Sequence, residues 1–134
     1  DSAGFPCAEG GICATPRDLL RFGAMVLADG DGIVPTSWFA RLRERDQDAI
    51  DAYAAYADPA RPDACYRDMW WIDDPVAGVF AANGINGQRM TIHHPSQTVI
   101  VKLSVWPERW DQEAADLTDA LCDAVCVHMV SDTT

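Results

Sequence analysis

The run Asn83-Gly84-Ile85-Asn86-Gly87-Gln88 is the part of this chain best suited to chemistry. It lies between Gly78-Val79-Phe80-Ala81-Ala82 and the stretch Arg89 to His94, both rich in strand-forming residues. Glycines there leave bare backbone where another molecule can come close. Backbone N–H groups are also the donors that hold a developing negative charge. The competing explanation is a hairpin corner that needs glycine only for its dihedral angles. Other reactive residue types are less promising. His93 and His94 are neighbours on an expected strand, point to opposite faces and make a poor metal pair. No spacing of His, Cys and carboxylates resembles a zinc site, so neither metal nor cofactor is expected. Asp73-Asp74 reads as a turn, Asp116, Asp119 and Asp123 as a solvated helix face, and His128 as an ordinary residue of the same helix.

The elements around this run are legible. Residues 1–14 form an irregular, glycine-containing lead-in. Thr15-Pro16-Arg17-Asp18 is a helix start, with Thr15 as cap, Pro16 at the first position and Asp18 at the positive end. Leu19, Leu20, Phe22, Gly23, Val26 and Leu27 follow helical spacing, and Gly30 and Gly32 stop the helix. A second helix runs from Pro35 to about Arg45. Residues 46–64 are mostly connection, with a short helix near 49–55. Tyr66 to Ile72 reads as an aromatic strand in which Trp70 and Trp71 chiefly pack the core. Three further strands are expected at about 78–84, 88–94 and 98–106, and their short links make them antiparallel neighbours. A long helix spans Trp110 to Val130, with Trp110, Ala114, Leu117, Leu121, Val125 and Met129 as its buried stripe. Trp106, Pro107 and Trp110 pin the last strand to this helix. The fold class is therefore α+β, an antiparallel sheet packed against helices. The apolar run Val99, Ile100, Val101 and Leu103 resembles a strand buried on both faces, which calls for more covering structure than this chain supplies.

The 134 residues fit one domain, and 49% hydrophobic residues suffice for a core. A net charge of −11 argues against nucleic acid and against anionic membranes as partners. Five cysteines, an odd number without a Cys-x-x-Cys pair, fit buried free thiols in a reducing compartment and hence a cytoplasmic location. Without an initiating Met, the chain reads as a fragment, so an upstream signal peptide stays an open alternative.

Gly10-Gly11-Ile12-Cys13-Ala14-Thr15-Pro16-Arg17-Asp18-Leu19-Leu20-Arg21-Phe22-Gly23 resembles a signature of the serine β-lactamase-like hydrolases. These include class C β-lactamases, D-alanyl-D-alanine peptidases, esterases and 6-aminohexanoate-dimer hydrolases. Tyr66 to Trp71 resembles the aromatic strand that follows in them. Gly84-Ile85-Asn86-Gly87-Gln88 and Val99 to Pro107 are similar to the 6-aminohexanoate-dimer hydrolase branch in particular. The resemblance implies a β-lactamase/transpeptidase-like domain in which residues 1–134 are the C-terminal part. The family's nucleophile is the Ser of Ser-x-x-Lys, with a Tyr as proton partner. Lys102 is the sole lysine here and Val99 stands three residues before it, so no Ser-x-x-Lys is present and the resemblance implies a nucleophile upstream or on another polypeptide. The resemblance then implies a role for this segment. Ile85 gives one backbone N–H of the oxyanion hole, while Gly84, Asn86, Gly87 and Gln88, with Phe5 and Cys7, line the substrate cleft. Cys7 as a small buried filler is the alternative. Asn86 falls where relatives often carry His, and a Lys-Thr-Gly motif of β-lactamases is missing, which weakens a β-lactam-binding reading. The expected partners are a small amide or ester substrate, the upstream portion of the same enzyme, and a possible second copy. The rival readings are a non-catalytic binding or assembly module of this fold, and a piece of a β-lactamase or peptidase.

Overall fold

Thr15 caps the first helix as its sequence predicts. In the computed structural model, which describes residues 12–131, Thr15 Oγ1 accepts from the Asp18 N–H at 3.2 Å and Pro16 opens helix α1, Pro16–Leu27. The chain then leaves the helix through Asp29 and Gly30, both at positive φ, and the Gly30 N–H closes on the Met25 carbonyl. Helix α2, Thr36–Leu42, is shorter than expected, and α3, Gln47–Tyr53, is capped by Asp46. Five strands follow: β1 Cys65–Arg67, β2 Trp70–Asp74, β3 Val79–Asn83, β4 Arg89–His93 and β5 Thr98–Lys102. They form an antiparallel meander in sequence order. Helix α4, Gln112–Ser131, closes the described chain. The fold is α+β, as anticipated.

Two expectations are corrected. The aromatic strand 66–72 is really a hairpin, because Asp68 and Met69 both adopt positive φ and fold β1 back on β2. Two successive left-handed residues suit the twist of a two-residue hairpin, a signal hidden here by the absence of glycine. The buried stripe of α4 is also shifted by one position. Ala115, Thr118, Cys122 and Cys126 face inward, while Trp110, Leu117, Leu121, Val125 and Met129 are exposed. The larger apolar side chains are strong hydrophobic signals, but the inward face needs small residues between aspartates that reach the sheet.

The sheet has two unlike faces. Trp70, Ile72, Phe80, Met90 and Ile92 pack with Val26, Phe39, Leu42 and Ile50 in one apolar core. Helix α1 lies tight on this face because Gly23 has no side chain; a Cβ there would sit 2.4 Å from Val99 Cγ1 and 3.2 Å from Ile92 Cδ1. The alternate residues, including Trp71, Asp73, Asn83, Arg89, Thr91 and Lys102, point to the α4 side. All of β5 is half-buried, with helices against it and no strand on its outer edge among the described residues.

Candidate active site

The β3–β4 corner departs from regular backbone geometry. Ile85–Gly87 makes a single 3₁₀ turn in which Asn86 (φ 57°) and Gly87 (φ 80°) are both left-handed. Asparagine tolerates that region, and glycine enters it freely. Gly87 is needed twice over, because an added Cβ would lie 2.2 Å from the Trp106 ring and 2.5 Å from Ser104 Oγ. Its absence of side chain thus serves close packing under Trp106. The N–H groups of Gly84, Asn86 and Gln88 are used to hold the corner, on the carbonyls of Gln88, Arg109 and Ile85 respectively. The Ile85 N–H takes no part in these bonds, and the Ile85 side chain is 64% exposed.

The corner is also tied to the segment after β5. Gln88 Nε2 donates to the Ser104 carbonyl at 2.6 Å. Ser104 Oγ lies 3.0 Å from the Asn86 carbonyl and 2.7 Å from that of Gly87. Lys102 Nζ donates to the Gly87 carbonyl at 3.0 Å and to Ser104 Oγ at 2.9 Å, and stands 4.9 Å from the Trp106 ring centre. Trp106 packs edge-on against Trp110 in the link between β5 and α4.

Gly84, Gly87, Gln88 and Trp106 form one end of a cleft of about 740 Å³ under α4. Tyr53, Tyr56, Trp71 and Trp110 line its walls. The sequence reading assigned Trp71 chiefly to the core; Trp70 is the buried one. Other lining residues are charged. Arg61 bridges Asp73 at 3.0 Å and Asp123 at 2.7 Å, and Arg89 reaches Asp119 at 2.6 Å and Asp73 at 3.7 Å. Asp73 therefore sits in β2 inside an ion network, while Asp74 alone makes the turn. Asp119 and Asp123 are members of that network and not merely a solvated face. Burial pushes the Asp73 carboxyl above its usual range, and Arg61 and Arg89 offset this only in part.

Of the expected site residues, Gly84, Gly87 and Gln88 meet at the cleft, and Ile85 and Asn86 are in the adjoining turn. Phe5 and Cys7 lie outside the described residues. Sequence reasoning missed Lys102, Ser104, Arg61 and Arg89. Period-two alternation could have put Arg89 and Lys102 on the face of Trp71 and Asp73. Nothing local marked Arg61. His93 and His94 do diverge: His93 bonds Ser96, and His94 bonds the Gly78 carbonyl on the opposite face. No group of side chains among the described residues could hold a metal ion.

No protein-family model matches the chain. It is similar to a 6-aminohexanoate-dimer hydrolase of Paenarthrobacter ureafaciens, 32% identical over 115 residues. The chain is related to a hydrolase. The alignment takes in 81% of this chain and 28% of that relative, so the chain spans less than a third of the relative's length. The relationship agrees with the branch to which Gly84–Gln88 and Val99–Pro107 are similar. No helix among the described residues is long and apolar enough to cross a membrane.

Proposed function

We propose that the chain is the C-terminal portion of a serine hydrolase that cleaves a linear amide or an ester through an acyl-enzyme. The nucleophilic Ser and its Lys lie in the upstream portion of the same enzyme. The Ser oxygen attacks the substrate carbonyl and its proton passes to the base. The tetrahedral oxyanion collapses, expels the amine or alcohol, and water then releases the acid. Ile85 contributes one backbone N–H to the oxyanion, and Gly84, Asn86, Gly87 and Gln88 form the adjoining wall. The observation that carries this reading is the corner itself. Its neighbouring amides are committed to internal bonds, whereas the Ile85 N–H is left out of them at an exposed position. The outward apolar face of α4 and the outer edge of β5, unpaired among the described residues, fit burial by the upstream portion. The buried thiols of Cys65, Cys122 and Cys126 fit a reducing, cytoplasmic location.

The full-length protein tests this with a linear 6-aminohexanoate dimer, p-nitrophenyl butyrate and a chromogenic β-lactam. Turnover of the amide or ester, with an acyl adduct on the Ser of a Ser-x-x-Lys by mass spectrometry, is the expected result. Turnover of the β-lactam alone would move the protein to the β-lactamases, and inertness to all three would reject hydrolysis. Ile85→Pro removes the proposed donor at the first residue of a turn, where proline is tolerated. Its kcat should fall roughly 100-fold or more; an unchanged kcat in a folded variant would remove Ile85 from the mechanism.

A further inference from the structure

A half-buried lysine is a costly choice for holding a loop unless its charge is used. Among the described residues the Lys102 ammonium makes three contacts, all on the 85–87 corner or on what presses against it. Its ammonium donates to the Gly87 carbonyl and to Ser104 Oγ and faces the Trp106 ring. Ser104 has a single hydroxyl proton and two acceptor carbonyls within reach, those of Asn86 and Gly87. An ammonium has donors only. Lys102 therefore fills the acceptor side of the Ser104 oxygen and leaves its one proton for the corner. The Trp106 N–H adds a bond to the Asn86 carbonyl at 3.3 Å, while its ring closes over Gly87. Two consecutive left-handed residues are thereby held from their carbonyl side, directly after Ile85.

We propose that Lys102 is a positioning residue for acyl transfer: with Ser104 and Trp106 it latches the Asn86–Gly87 peptide so that the Ile85 N–H is fixed where an oxyanion forms. This rests on the hydrolase reading of the corner. The physical reason for a latch is that donor preorganisation is worth much only when the donor does not move. A displacement of about 1 Å can cost on the order of 100-fold in rate. A cation is suited to the task, because charge-assisted bonds to a carbonyl are shorter and stronger than neutral ones. Lys102 touches no reacting atom in this scheme, so it should affect the transition state more than the ground state.

The test compares wild type, Lys102→Met, Lys102→Arg, Ser104→Ala and Ile85→Pro in the full-length protein, with p-nitrophenyl butyrate as substrate. Inhibition by a p-nitrophenyl alkylphosphonate, which imitates the tetrahedral state, is the second readout. Lys102→Met should lower kcat and the phosphonylation rate about 10-fold or more, with KM within about twofold. Lys102→Arg keeps a donor and should recover most of the loss. Ser104→Ala should fall between them, and it carries the same test should Lys102→Met fail to fold. Unchanged kcat and phosphonylation in folded Lys102→Met or Ser104→Ala, with Ile85→Pro inactive, would overturn the latch and leave the hydrolase intact. Equal losses in kcat and thermal midpoint, unrescued by arginine, would also overturn it by showing a structural role only. An inactive wild type would instead remove the hydrolase reading beneath it.

Discussion

The two faces of the sheet are built from one set of strands on opposite principles. Towards α1, α2 and α3 the side chains are apolar, fully buried and interlocked, with Phe80, Ile92, Phe39 and Leu42 almost without exposure. Towards α4 they are mixed, with Asp73, Asn83, Arg89, Thr91 and Lys102 beside Trp71, Ala81 and Ile100, and the helix is held through small residues and two arginine–aspartate bridges. The first face can only be filled by what already fills it. The second keeps an open cleft beside the irregular corner, and its helix turns Leu117, Leu121 and Val127 outward. The apolar side holds the core, and the other side adds ion pairs and carries the groups suited to recognition.

The largest expected effect breaks the first face. Phe80→Ala should cost about 4 kcal/mol, the sum of lost transfer energy and a cavity beneath Trp70 and Ile72. Leu121→Ala, on the outward side of α4 and 58% exposed, should change the stability of the 134-residue chain by less than about 0.5 kcal/mol. In the full-length protein the second value should rise, because we propose that the upstream portion covers this face. Urea unfolding of both variants in both lengths measures it. Equal small effects of Leu121→Ala in the two lengths would mean that nothing covers α4 there.

Arg89→Met should cost about 3 kcal/mol, because it removes the partner of a buried charge and does not replace the pair. Arg89 is 11% exposed and also donates to Asn83 and Thr91, so several acceptors are orphaned together. The Asp73 carboxyl, already raised by burial, should rise further with one arginine gone. Adding Asp73→Asn should return part of the loss. A cost near zero for Arg89→Met would mean that the polar face is solvated rather than structural.

The same contrast explains which parts of the sequence could be read. Thr15, Pro16 and Gly30 signal the start and end of α1 through local backbone chemistry, and the structure follows them. The strand-forming runs near 78–84 and 88–94 and their short link likewise mark two antiparallel neighbours, which the structure pairs. Helix α4 defeated the same reasoning. Its large apolar residues recur at helical spacing, but the partner surface is an arginine-bearing sheet that selects Ala115, Thr118 and Cys122. Periodicity reports that a helix is amphipathic, not which of two adjacent stripes meets the sheet. The corner was legible as an irregular glycine-bearing step. Its clamp was not, since Lys102 and Ser104 lie 15 and 17 residues from the Gly87 carbonyl that they hold.

The smallest expected effect sharpens the comparison through two adjacent histidines on opposite faces. His94 Nδ1 lies 2.6 Å from the Gly78 carbonyl, so that nitrogen carries the proton, while buried Nε2 has no hydrogen-bond partner and is 3.8 Å from the Asp29 carboxylate. Burial, aided by Arg43, lowers its pKa below the usual histidine value against the pull of Gly78 and Asp29. His93 is lowered too, first by burial, with Asp123 opposing. A histidine with a lowered folded pKa stabilises fully above its unfolded pKa, about 6.5. Below that value the unfolded chain takes up a proton that the folded one refuses, so stability falls as pH drops towards the folded pKa. Between about pH 7 and pH 5, in the range of an ordinary histidine, the unfolding midpoint should therefore decline. His94→Gln, which keeps a donor for Gly78, should flatten that decline more than His93→Gln, because the drier face charges its histidine less readily. Asp73, whose raised pKa acts with the opposite sign, is common to all three proteins and drops out of the comparison. Equal flattening by the two variants would show that the two faces exclude water alike, and slopes unchanged from wild type would show that neither histidine carries the decline.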